Sequence, residues 1–98
     1  MSDWKPTYTI NGNKFSNEKG FYNEIERVFT NDLNWRIGRN LDAFNDVLSG
    51  GFGTFDVDEE IIIEWKNFYK SEENLETSFL HTVIEIIEQN KHITFIKS

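Results

Sequence analysis

The sequence contains no cysteine. A disulfide framework, a thiolate metal site and a cysteine nucleophile are therefore excluded, and such a chain suits a reducing compartment. Long hydrophobic runs are also missing, because the longest one covers only residues 61–63 and is far too short to cross a bilayer. The first six residues, MSDWKP, hold no apolar stretch of the length that a signal peptide needs. We expect a cytoplasmic protein that does not contact membranes.

Proline and glycine are scarce, with one Pro and six Gly among 98 residues. Disordered segments have few aromatic residues, whereas this chain has nine Phe, three Trp and three Tyr to fill a core. A chain of this length fits one domain. We therefore predict a single domain over residues 1–98 that folds as a monomer and requires no cofactor and no metal.

Basic residues are missing from residues 40–64, which contain seven acids and no Lys or Arg. The whole chain has 17 acids and 10 bases, so this window accounts for the entire net charge of −7. Phosphate contacts need clustered Lys and Arg, and direct binding of nucleic acid is therefore not expected. A one-sided negative field attracts positively charged partners, although acidic residues also simply promote solubility.

Hydrophobic periodicity predicts strands that alternate with helices. The predicted strands are residues 7–10, 61–65 and 93–96. The predicted helices are residues 17–30 after a cap at Ser16, residues 40–49 with Asn40 as the cap, a short turn over residues 67–71, and a stretch from Leu75 to near Asn90. This alternation implies parallel pairing, so we predict an α/β fold with a three-stranded parallel sheet and about four helices. The apolar run at residues 61–65 does not alternate, as expected of a central strand covered on both faces or of a strand in a parallel sheet.

The predicted helix at residues 40–49 has two distinct faces. Leu41, Phe44 and Leu48 share the apolar face. The other face carries four polar side chains at positions i, i+3, i+4 and i+7, named here the polar strip: Asp42, Asn45, Asp46 and Ser49. Such a strip is typical of a solvated helix surface, so a binding role needs further support.

Catalytic chemistry finds little support in the sequence. The only two histidines, His81 and His92, have no neighbour at the spacing of metal ligands. Residues 56–61 begin like a calcium loop, but the sixth position is Ile61 where the loop needs Gly. Asp42 and Asp46 could form an acid and base pair, yet they lie on one short helix instead of flanking a cleft. We predict a protein that is not an enzyme, and a small acidic enzyme using these two residues remains a third hypothesis.

The segment GRNLDAFNDVLSG at residues 38–50 resembles the signature helix of the barstar family, whose members are bacterial intracellular inhibitors of ribonucleases. Residues 10–12, 64–68 and 93–98 resemble the family's first strand end, second strand end and C-terminus, in the same order. The resemblance implies a small parallel sheet packed with helices. It also implies that the signature helix plugs the active site of a barnase-like ribonuclease.

The resemblance assigns roles to particular residues. Asp46 would enter the phosphate-binding centre of the nuclease, and Asp42 would pair with a neighbouring cation. Ser49 and Gly50 would touch the partner through the helix end, while Glu85 would reach it from the rim. The carboxylates would then mimic the phosphates of RNA in a pocket that holds positive charge to stabilise them.

The chain departs from the family at positions where barstar's interface has large aromatic side chains. Arg36, Asn45 and Gly51 stand there instead. Aromatic anchors usually contribute much of an interface, and Trp35 or Phe52 would have to replace them. Trp35, Arg36 and Asn45 are therefore included among the predicted partner-binding residues, although Trp35 could equally anchor its loop by packing. A second hypothesis follows, in which the chain is a barstar-fold interaction or immunity module for another basic protein or toxin.

Overall fold

The computed structural model describes residues 5–30, 40–49 and 59–98 of the chain, except for the side chain of Thr30. These residues form three strands and four α-helices: β1 (Thr7–Asn11), α1 (Glu18–Ile25), α2 (Leu41–Leu48), β2 (Ile61–Lys66), α3 (Phe68–Asn74), α4 (Thr77–Gln89) and β3 (Ile93–Lys97). A 3₁₀ turn (Gly12–Lys14) follows β1, and a π-helical turn (Glu26–Thr30) extends α1. The predicted α/β class is confirmed.

The three strands form one parallel sheet in the order β1, β2, β3. Tyr8 of β1 pairs with Ile63 of β2, which pairs on its other side with Phe95 of β3. The central position predicted for residues 61–65 is therefore correct. Parallel neighbours need long crossover connections, which is why helices separate the strands along the chain.

The core lies on one face of the sheet. Ile61, Ile63 and Trp65 of β2 have no exposed surface, whereas Ile62 and Glu64 on the opposite face are half-buried. Of the two expectations for β2, the parallel sheet is confirmed and complete cover of both faces is wrong. The helices supply most of the remaining fully buried side chains: Phe21, Ile25, Phe44, Val47, Leu48, Val83 and Ile87.

Aromatic rings at the centre of this core connect the sheet to two helices. The Phe21 ring of α1 stacks on the Trp65 ring with 5.7 Å between ring centroids. The Phe44 ring of α2 meets Phe21 edge to face at 5.4 Å. Each such pair contributes roughly 0.5–1.5 kcal/mol beyond the burial of its area. Helix α2 is thus anchored to the sheet through α1.

Helix α1 begins one residue later than the predicted cap at Ser16 implies. Asn17 has an extended backbone, and its side-chain oxygen accepts the N–H of Gly20 at 2.8 Å. This bond satisfies one of the free N–H groups in the first helical turn. Asn17 is therefore the N-cap, and the prediction of Ser16 was wrong because both residue types cap helices and only the geometry separates them.

A buried carboxylate joins α1 to the end of β1. Glu24 is only 4% exposed, and its Oε2 accepts the backbone N–H of Asn11 at 2.9 Å. Arg27 donates to both carboxylate oxygens at 2.8 Å, from Nε and from Nη2. Three hydrogen bonds therefore compensate for burying this charge.

The turn after β1 packs tightly against the end of β2. Asn67 has a positive φ of 55°, and its side-chain N–H donates to Asn11 Oδ1 at 3.1 Å. Gly12 lies so close that a Cβ atom there would clash with the carbonyl oxygen of Asn67. The turn predicted at residues 11 and 12 therefore requires glycine because of this close approach.

Two helix boundaries near the C-terminus differ from the sequence prediction. The short turn predicted at residues 67–71 continues as α3 to Asn74. Its residue Ser71 is fully buried, and its hydroxyl accepts the indole N–H of Trp65 at 3.0 Å. Leu75, predicted to begin the long helix, lies before α4 but is still buried. Within the described ranges, no helix is both long and apolar enough to span a membrane.

Candidate partner-binding site

Local signals fix the ends and the orientation of α2. The Asn40 side-chain oxygen accepts the N–H of Ala43 at 2.7 Å, which confirms the predicted N-cap. Asp42 lies in the first turn, where the positive end of the helix dipole favours an anion. Phe44 is fully buried on the opposite side of the helix. Burial of that apolar face turns the polar strip toward solvent.

The two acids of the polar strip have no partner in the described ranges of the chain. Asp42 and Asp46 are exposed, and neither forms a hydrogen bond or an ion pair in the part of the chain that the structure describes. Helix α2 contains no Lys or Arg. Like charges one helical turn apart repel by roughly 0.2–0.5 kcal/mol. The pair is therefore mildly unfavourable in the free protein and would be relieved by a positively charged partner.

The other two members of the polar strip are bonded to the end of α4. Ser49 Oγ donates to Asn90 Oδ1 at 3.2 Å. Asn90 Nδ2 donates to Asn45 Oδ1 at 3.3 Å and to the carbonyl oxygen of Ile86 at 2.7 Å. The structure therefore brings Asn45 and Ser49 together around a residue that lies 41 positions beyond Ser49 in the sequence.

A histidine meets the C-terminal end of α2. His92 Nε2 lies 2.9 Å from the carbonyl oxygen of Leu48, so this nitrogen carries the proton and donates. The last carbonyls of a helix lack partners within the helix, and a donor from elsewhere satisfies them. His92 thus donates a hydrogen bond to a backbone carbonyl at the C-terminal end of α2. In the described residues, no three His, Asp or Glu side chains form a group that could hold a metal ion.

Sequence reasoning did not identify Asn90 or His92 as part of this site. Asn90 was recognised only as the end of a helix, and His92 only as a candidate ligand that lacked neighbours. An Asn after a helix is an ordinary stop signal. The contacts of Asn90 with α2 form only because the fold brings the end of α4 beside α2. No local sequence pattern predicts that proximity.

Glu85 lies on a different side of α4 from Asn90. Its exposed side chain borders an open cavity of about 590 Å³, whereas Asn90 contacts α2. No hydrogen bond joins Glu85 to the polar strip among the residues described. The cavity is lined by residues of α3, α4 and β3: Phe68, Glu72, Thr77, Leu80, His81, Ile84, Glu85 and Lys97.

Several predicted site residues lie outside the described residues. They are Trp35, Arg36 and Gly50, together with Gly51 and Phe52, which were considered as their neighbours in the interface. The geometry on which the site rests is therefore that of α2 and its contacts with the end of α4 and with the turn before β3.

A comparison with known families fits this arrangement. The sequence model of one family, described as Barstar (barnase inhibitor), matches residues 5–93. The chain belongs to the barstar family. The match includes α2 and the whole polar strip, and it confirms the resemblance carried by residues 38–50. The barstar family is a family of inhibitors, which agrees with the prediction that this chain is not an enzyme. No curated protein is significantly similar to the chain.

Proposed function

We propose that this barstar-family protein inhibits a basic, barnase-like ribonuclease by placing α2 in the nuclease active site. The observation that supports this most directly is the pair of exposed acids, Asp42 and Asp46, which have no partner among the described residues and lie on a capped and anchored helix. The description of the family as barnase inhibitors agrees with it. The proposal includes a monomeric, single-domain inhibitor that acts in the cytoplasm.

The mechanism is mimicry of a phosphate backbone. A ribonuclease must hold hydrogen-bond donors and positive charge in place for the phosphate that reacts. Asp46 would accept those donors and Asp42 would pair with a neighbouring cation. Unlike a phosphodiester, neither group can be cleaved. Ser49 and Gly50 would contact the nuclease through the end of the helix.

Further residues would surround this centre. Trp35, Arg36 and Asn45 would border the partner beside the helix, and Glu85 would meet it at the rim. Acids of residues 40–64 would attract the basic nuclease before contact, since complementary charge raises association rates more than affinity. The anchoring of α2 limits the entropy that binding must remove.

A second candidate function is the inhibition of a different basic toxin. Asn45 favours it, because a small amide engaged with Asn90 stands where barstar's interface has an aromatic side chain. Aromatic side chains are frequent hot spots of interfaces, so replacing one changes which surface fits. In this case α2 would still carry the interaction, but barnase would not be the target.

The deciding experiment measures RNA cleavage by barnase in the presence of the protein. We expect stoichiometric inhibition by the unaltered chain. Asp46→Ala should weaken binding by at least about 2 kcal/mol, as expected of a hot-spot residue. Barnase–barstar complexes are among the examples on which that range is based. Glu73→Ala is the matched control, because it removes the same charge from an exposed position on α3.

The outcomes separate the two candidates. Equal and negligible losses for Asp46→Ala and Glu73→Ala would remove α2 from the interface and contradict both. If barnase is not inhibited, a basic protein toxin bound by the unaltered chain but not by Asp46→Ala would favour the second candidate.

A further inference from the structure

The turn that joins α4 to β3 is itself firmly fixed. The N–H of Ile93 donates to the carbonyl oxygen of Asn90 at 2.9 Å, which closes the turn. The N–H of Ile61 in β2 donates to the carbonyl oxygen of His92 at 3.0 Å. Asn90 and His92 therefore project from a turn that is bonded to the central strand of the sheet.

Apolar burial turns one face of α2 inward, but it sets the rotation of the helix about its axis only coarsely. Phe44, Val47 and Leu48 fix the depth of the helix, but the hydrophobic effect is non-directional. Hydrogen bonds have narrow angular preferences. The bonds from Asn90 to Asn45 and Ser49 are therefore well suited to define the rotation of α2.

Rotation of α2 determines where its carboxylates point. Side chains extend about 6 Å from a helix axis, so a rotation of about 20° moves a carboxylate by about 2 Å. Binding sites need their groups held within roughly 0.5 Å of the productive position. Asn45 precedes Asp46 on the same face of α2, and Ser49 follows it. Hydrogen bonds that hold Asn45 and Ser49 in place therefore also set the direction of the Asp46 side chain.

We infer that Asn90 is a positioning residue for partner binding. It does not need to touch the partner, because it sets the direction of Asp42 and Asp46 by holding Asn45 and Ser49. His92 supports it by holding the carbonyl oxygen of Leu48 at the end of the helix. This inference rests on the proposed function, since the directions of the two carboxylates matter only for a partner that binds both Asp42 and Asp46.

Hydrogen exchange in the free protein tests the positioning without any partner. The amides of Phe44 and Ser49 are bonded within the α2 region, to the carbonyl oxygens of Asn40 and Asn45. In Asn90→Ala we expect these amides to exchange about five- to ten-fold faster relative to amides of β2, the range for losing one or two neutral hydrogen bonds. A merely structural role would raise exchange equally in both elements and leave their ratio unchanged.

Two further variants sharpen the exchange experiment. Asn90→Asp keeps an acceptor for the Ser49 hydroxyl but places a carboxylate oxygen against the oxygens of Asn45 and Ile86 at the C-terminal end of α4, so it should raise the exchange ratio at least as much as Asn90→Ala. Gln89→Ala alters the adjacent exposed residue and should leave the exchange ratio as it is. An unchanged ratio in Asn90→Ala would overturn the inference.

Barnase affinity completes the test. Asn90→Ala should weaken binding about five- to ten-fold, less than Asp46→Ala, while Gln89→Ala binds normally. If Asp46→Ala loses binding and Asn90→Ala does not, the inference is wrong and the proposed function stands. If barnase does not bind the unaltered chain, the proposed function fails for barnase, and the exchange ratio alone decides the role of Asn90.

Discussion

One acid of helix α1 and one acid of helix α2 lie in opposite surroundings. Glu24 on α1 is almost completely buried and accepts three hydrogen bonds from Asn11 and Arg27. Asp46 on α2 is exposed and accepts none within the described part of the chain. A buried charge persists only where the protein supplies its donors. The fold thus satisfies Glu24 itself, whereas under the proposed function the donors of Asp46 belong to a partner.

The comparison separates stability from binding. Removing the donors or the acid of the α1 site should change the free energy of unfolding. Removing an acid of the polar strip should change affinity and leave unfolding almost unaffected. Three predictions test whether the two sites are independent in this way.

The largest expected effect belongs to Glu24→Ala. It leaves the Asn11 N–H without its acceptor, deletes the bonds from Arg27 and opens a small void beside β1, so the free energy of unfolding should fall by about 3 kcal/mol. Urea unfolding measures this loss. Asp46→Ala is the control and should stay within about 0.5 kcal/mol of the unaltered chain. Equal losses of unfolding free energy in Glu24→Ala and Asp46→Ala would contradict the distinction between a stabilising acid on α1 and a binding acid on α2.

A smaller effect is expected for Arg27→Met, which removes two of the three donors to Glu24. The Arg27 side chain is about half exposed, at 51%, so solvent screens part of the ion pair. The Asn11 N–H keeps its acceptor, and we expect a loss of only about 1–2 kcal/mol in the free energy of unfolding. Thermal unfolding compares the two variants. A loss larger than that of Glu24→Ala would mean that leaving the buried carboxylate with a single donor costs more than removing the side chain.

The sequence anticipated the features that depend on neighbouring residues. The spacing within residues 40–49 was enough to predict the polar strip of α2, the N-cap of this helix at Asn40 and its apolar face. The alternation of strands and helices was enough to predict the parallel sheet. Ser16 and Asn17 show the limit of such patterns, because both can cap a helix and only the backbone conformation decides.

Features that depend on distant contacts could not be predicted. The sequence shows Glu24 and Arg27 as an ordinary surface pair at i, i+3, and only the packing of α1 on β1 buries the carboxylate. Asn90 likewise looks like a helix stop until the sheet brings it beside α2. Both are polar residues whose partner lies in another element, so periodicity carries no record of them.

The smallest predicted effect concerns Tyr22, which lies on the same helix as Glu24 but packs against the rings of Phe21 and Phe79. Burial raises the pKa of Tyr22 above its ordinary value of 10.0, and the nearby charge of Glu18 adds to the rise. The unfolded chain therefore releases this proton more readily than the folded one. The stability that depends on the neutral phenol is complete below about pH 10 and is lost as the pH rises through the folded-state pKa.

Tyr22→Phe removes that contribution, so its free energy of unfolding should fall less steeply above pH 10 than that of the unaltered chain. Urea unfolding at several alkaline pH values measures the two slopes, and the other tyrosines and lysines are common to both proteins. Glu18→Gln should bring the loss to lower pH by removing one cause of the shift. Coincident curves for Tyr22→Phe and the unaltered chain would contradict a penalty on charging Tyr22 in the folded protein.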